Sequence, residues 1–80
     1  MAKNIKVLGT GCMKCEKLYE MTKKAVEEMG INANVEKITD LNKIMEFGVA
    51  LTPALVVDNE VKIAGKVPHS IDEIKKYLGD

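Results

Sequence analysis

The stretch Gly9-Thr10-Gly11-Cys12-Met13-Lys14-Cys15 constrains the chain most, because it holds both cysteines and joins a run of strand character to one of helix character. Upstream, Asn4 to Leu8 is a short β-branched run with Ile5 and Val7 at period two and Leu8 extending it. That pattern suits a strand buried on both faces. Downstream, from about Met13 to Met29, the set Cys15, Leu18, Val26 and Met29, with Thr22 and Ala25 between, recurs at helical spacing along one stripe. Lysines and glutamates fill the other side. Glu16 in the first turn and the Glu20–Lys24 pair support this helix locally, and Gly30 stands where a left-handed residue is wanted to close it.

The remaining elements follow from the same two periods. Ile31 to Ile38 carries Ala33, Val35 and Ile38 among polar residues, a weaker strand pattern that completes a parallel crossover unit with the first strand and helix. Thr39 and Asp40 can cap a short helix carrying Leu41, Ile44, Met45 and Phe47, ended by Gly48. Thr52-Pro53 precedes the run Ala54 to Val57, and Asp58-Asn59 separates that run from Glu60 to Ala64, an antiparallel hairpin with a tight turn. After Gly65 and the loop through Pro68, Ser70-Ile71-Asp72-Glu73 is a capping-box sequence opening a last helix with Ile71, Ile74, Tyr77 and Leu78 on one face. The order is β-α-β-α-β-β-α, an α/β chain.

Composition narrows the function classes. Eighty residues fit one domain, spanning 1–80, near the lower end of the sizes that fold on a single core. No stretch approaches the ~20 apolar residues of a membrane span, and Met1-Ala2-Lys3 leads into a charged run too short for a signal peptide's apolar region, so a cytoplasmic protein is expected. All 12 basic residues are lysines, balanced by 12 acids, which removes the bidentate guanidinium contacts that read phosphate and guanine and argues against nucleic-acid binding. Two cysteines in a cytoplasmic chain point to redox chemistry or metal ligation rather than a structural staple.

Two thiols three residues apart on a first helical turn are close enough to bridge, because a disulfide needs Cα atoms roughly 4.4 to 6.8 Å apart. The same pair can instead clip a soft metal ion. Cys12, at the helix's N-terminal edge, is expected to have a lowered pKa, from unpaired backbone N–H groups and the positive end of the helix dipole; Lys14 and Lys17 add a little in the same sense. Cys15 falls on the apolar stripe and is expected to be more buried and less ionised. Their roles then separate: Cys12 is the nucleophile that attacks a substrate disulfide, and Cys15 resolves the mixed disulfide. His69, the only histidine, belongs to a distant loop and is expected to be merely solvated. A structural zinc site needs about four ligands, more than these residues provide. The alternatives that use the same thiols are a copper carrier and a non-enzymatic thiol binding module. Small copper-binding domains, however, run β-α-β-β-α-β and end in a strand.

The Gly-x-Gly-Cys-x-x-Cys turn after the first strand, Thr52-Pro53 at the start of the third, the late hairpin and the closing helix together resemble the thioredoxin superfamily. In size the chain most resembles the small glutaredoxin-like thioredoxins, or redox-active disulfide proteins, of archaea and bacteria. The resemblance implies a thioredoxin-like fold with a mixed four-stranded sheet flanked by helices. It also implies a cis bond before Pro53, which would face the dithiol, while Thr52 offers backbone groups to an extended substrate that pairs like an added strand. Gly11, Met13 and Lys14 are expected beside that substrate. The implied activity is reduction of protein disulfides by a monomer recharged by a thioredoxin-reductase-type electron donor, with no metal or organic cofactor. The sequence departs from larger thioredoxins in having no Trp before Cys12, Met13-Lys14 in place of Gly-Pro, and no acid in the first strand. It also lacks the aromatic residue between the cysteines and the full glycine-pair segment by which glutaredoxins hold glutathione; only Gly65 remains in Ala64 to Ser70. Tyr19, one turn after Cys15, is expected to serve helix packing.

Overall fold

The computed structural model describes residues 3–11 and 13–79. Its elements are β1 (Lys3–Leu8), α1 (Met13–Met29), β2 (Ala33–Ile38), α2 (Leu41–Glu46), β3 (Ala54–Val57), β4 (Glu60–Ala64) and α3 (Ile71–Leu78), the expected order. The four strands form one mixed sheet ordered β2-β1-β3-β4. β1 pairs with β2 in parallel, Ile5 beside Val35, and with β3 antiparallel, Val7 beside Leu55. It is therefore a central strand, which explains why Ile5, Val7 and Leu8 are all buried despite their alternation.

Alternation along the strands divides the core in two. Ile5, Val7, Leu55, Val57 and Ile63 face α1 and α3, packing with Leu18, Ala25, Ile74 and Leu78. Leu8, Ala54 and Val56, of opposite parity, pack with Ile44 of α2 and with Val49. Each fully buried Leu, Ile or Val side chain stabilises the fold by about 1.5–3 kcal/mol in transfer free energy. Both sheet faces are needed in a chain this short. Thr22, the polar member of the α1 stripe, is buried without penalty because its hydroxyl donates to the Leu18 carbonyl at 2.8 Å.

The local signals act mostly as expected. Gly30 closes α1 with φ 64°, and the Asp40 side chain accepts from the Asn42 N–H at the start of α2. Asp58 and Asn59 both have positive φ, 49° and 68°, the backbone of a two-residue hairpin turn whose twist matches the strands. Asp58 also stitches this turn to β1: its N–H donates to the Asn4 carbonyl at 2.8 Å, and its carboxylate accepts from the Asn4 N–H at 2.9 Å.

Two local expectations fail, and α2 buries less than its apolar content offers. The second strand begins at Ala33, so Ile31 and Asn32 belong to the connection. The Ser70 capping box does not form: Ser70 is extended, but its hydroxyl makes no cap bond. The Glu73 N–H that it would have satisfied donates instead to the Ser70 backbone carbonyl at 3.2 Å. In α2 only Ile44 is buried. Leu41 and Met45 point outward, 59% and 63% exposed, because six residues make under two turns and present one apolar position to the sheet.

Candidate thiol site

One edge of the sheet collects the residues of interest. Gly9 follows β1, and its N–H donates to the Ile38 carbonyl at the end of β2, 2.9 Å away. The β1–β3 register sets Leu8 beside Ala54; carried one residue further, it sets Gly9 opposite Pro53. The β3–β4 register sets Ala54 beside Ala64, and the Gly65 N–H donates to the Pro53 carbonyl at 2.9 Å. Gly9, Pro53 and Gly65 thus form a row across the sheet edge. Pro53 is fully buried, and the Thr52–Pro53 bond is cis, the isomer that the resemblance implies.

Helix α1 brings Cys15 onto this row. Cys15 is 1% exposed, as its place on the stripe predicts. A Cβ built on Gly9 would stand 2.2 Å from Cys15 Sγ and 2.6 Å from its Cβ. Gly9 has no positive φ, so glycine is required there by the close approach of the thiol and not by backbone conformation. Cys12, the expected nucleophile, lies outside the described residues, and so does the expected Cys12–Cys15 bridge.

The expected substrate contacts divide into two sets. Gly11, Met13 and Lys14 line one shallow groove of about 520 Å³ together with Glu16, Lys17 and Glu20. Gly11 has φ 96° in open space, a backbone that an L side chain rarely adopts, and Met13 is 90% exposed. Pro53 lies in the row, Thr52 immediately precedes it, and neither is part of that groove. Leu51, just before Thr52, was missed by sequence reasoning. It is 64% exposed, and its side chain lies over Gly65, where an added Cβ would meet Leu51 Cβ at 2.9 Å. A lone apolar residue beside Thr-Pro, with no periodic partner, was the only signal for it.

The electrostatics of α1 run across to β2. Lys37 Nζ donates to Glu16 Oε1 and lies 4.9 Å from the centre of the Tyr19 ring. The Glu16 hydrogen bond, above all, holds the Lys37 ammonium above its ordinary pKa; partial desolvation opposes this, while the charge of Glu16 adds to it. Glu16 therefore serves as a cross-element partner as well as a first-turn acid. The sequence-based Glu20–Lys24 pair forms no ion pair among the described residues. Tyr19 is half-buried against the α1–α3 core, a packing role as expected, with Lys23 and Lys37 near its ring. No helix among the described residues is long and apolar enough to cross a membrane.

The family model described as a thioredoxin domain matches residues 3–79. A thioredoxin of Methanocaldococcus jannaschii is 49% identical over 74 residues, covering 92% of this chain and 84% of its own. A thioredoxin of Methanothermobacter thermautotrophicus is 46% identical over 74 residues, covering 92% of this chain and 95% of its own. The chain belongs to the thioredoxin family, and its α/β architecture is the thioredoxin-like fold.

Proposed function

We propose that the protein is a cytoplasmic dithiol–disulfide oxidoreductase that reduces protein disulfides through Cys12 and Cys15. One observation carries the reading: the buried Cys15 thiol packs on Gly9, which the strand register sets opposite Pro53 at the start of β3. This arrangement supports reading Cys15 as the resolving thiol, beside a strand end that a substrate chain would extend.

In the proposed cycle the Cys12 thiolate attacks one sulfur of the substrate disulfide, the S–S bond breaks, and the departing substrate thiolate takes a proton. The Cys15 thiolate then attacks the Cys12 sulfur of the mixed disulfide. The second substrate thiol leaves, and a Cys12–Cys15 disulfide remains. The substrate has gained two electrons and two protons; a thioredoxin-reductase-type donor returns the same number to the protein. Thr52 would pair its backbone with the substrate, while Met13, Lys14 and Gly11 flank it. No cofactor takes part, and one monomer suffices. Membership in the thioredoxin family supports this chemistry, and a second helix standing between β2 and the β3–β4 hairpin disfavours the copper-carrier alternative.

A redox titration coupled to a disulfide-reduction assay tests the reading. The expected result is a reversible two-electron couple with turnover that Cys12→Ser abolishes. Tight binding of one copper(I) with no turnover of any disulfide would overturn it.

A further inference from the structure

We propose that the groove between the first turns of α1 and the β4–α3 loop docks acidic side chains that flank the disulfide of a protein substrate. The groove has a volume of about 420 Å³. Lys14 and Lys17 line it from α1, and Lys66 and His69 from the loop, with Val67 and Pro68 forming the wall between. Among the described residues, no acidic side chain lines it. In a chain with 12 lysines and 12 acids, this is a local segregation of charge.

The segregation is uncompensated. Lys14, Lys17 and Lys66 take part in no ion pair among the described residues, whereas Lys3, Lys37, Lys62 and Lys75 do. Of the nearby acids of α1, Glu16 accepts from Lys37, and Glu16 and Glu20 line the adjacent groove, which Lys14 and Lys17 also border, rather than this one. Cations held this way create a positive field that an anionic segment can answer.

Position ties the groove to the thiols. Lys14 immediately precedes Cys15, and the far wall is anchored to the site through the Gly65 N–H bond to the Pro53 carbonyl. A chain whose disulfide reaches this edge would carry its flanking residues across the groove. The inference rests on the oxidoreductase reading and adds a substrate preference to it.

The test uses two disulfide-bearing peptides that differ only in flanking residues, one with two Asp and one with two Ser, at low and high salt. The readout is the ratio of their kcat/KM values, so any change in intrinsic thiol reactivity cancels. The acidic peptide is expected to be favoured about three- to tenfold at low ionic strength, the ratio falling toward one in 0.5 M salt. Lys17→Gln/Lys66→Gln should bring the low-salt ratio close to one, and Lys66→Glu should take it below one. A wild-type ratio near one with good turnover of both peptides overturns this proposal alone. A ratio unchanged in the double variant does so too. Failure to turn over either peptide overturns the oxidoreductase reading and this inference with it.

Discussion

Gly9 and Cys15 are packed so closely that a methyl group on Gly9 would lie 2.2 Å from the Cys15 sulfur. Nothing flexible stands between them: the second atom met is Cys15 Cβ, at 2.6 Å. Helix and strand must separate to admit any side chain. Gly9→Ala is therefore expected to destabilise the protein by about 1–3 kcal/mol, the usual cost of overpacking a core, and to alter the reactivity of Cys15. Gly30→Ala provides the control. Its φ is 64° and nothing lies within 4 Å of an added Cβ, so only backbone strain of about 1–2 kcal/mol is expected. Urea midpoints together with rates of thiol alkylation under mild denaturant distinguish the two. Equal alkylation rates in both variants would count against a packing role for Gly9.

The burial of Cys15 bears on how the thiols behave when separated. With Cys15 1% exposed and held on Gly9, a mixed disulfide on Cys12 has only Cys15 to resolve it. Cys15→Ser should accumulate covalent substrate adducts, visible by non-reducing electrophoresis and released by dithiothreitol. Cys12→Ser should form none at neutral pH. More abundant adducts in Cys12→Ser would reverse the two roles.

Helix α2 fully buries a single side chain. Ile44 is buried with Leu8, Val49, Ala54 and Val56, while Leu41 and Met45 point away. Ile44→Ala should cost about 2–5 kcal/mol, from lost transfer free energy and the cavity left behind. Leu41→Ser and Met45→Ser should each change stability by less than about 0.5 kcal/mol. Denaturant unfolding of the three variants checks the contrast. A Met45 effect as large as that of Ile44 would mean that α2 packs differently.

The physical origin of each signal explains what the amino-acid order revealed. Burial on both sheet faces depends on local alternation, so Ile5, Val7 and Leu8 marked β1 as central before any pairing was known. Turn chemistry is also local: Asp58-Asn59 and Gly30 carry the positive φ that their residue types tolerate. The Ser70 cap failed because a backbone carbonyl competed for the same N–H, which residue type does not record. Contacts that depend on how elements pack, rather than on their order, were hidden. Gly9 looked like a strand terminator and is a contact surface for a thiol six residues on. Leu51 had no partner until Gly65 came to lie beneath it. His69, expected to be only solvated, is exposed but shares a groove with lysines from α1 that are more than fifty residues earlier in the chain.

Helices α1 and α3 are joined at the surface by Lys75, whose ammonium donates to Glu28 at 2.8 Å, and this pair sets a pH dependence. The hydrogen bond to Lys75 is the main reason that Glu28 is held below its ordinary carboxylate pKa, and the same bond holds Lys75 above its ordinary ammonium value. A lowered carboxylate stabilises the fold above its unfolded-state pKa and loses that contribution as pH falls through the folded-state value. A raised ammonium does so below its unfolded-state pKa and loses it as pH rises through the folded-state value. Wild type should therefore exceed Glu28→Gln in urea midpoint at pH 7, by a small margin because both groups are solvent-exposed. The margin should vanish in acid, once Glu28 is protonated, and again in strong base, once Lys75 is neutral. High salt at pH 7 should shrink it as well. Urea titrations of both proteins across the pH range measure this directly. A margin that is the same in acid as at pH 7 would show that the pair does not couple the two helices.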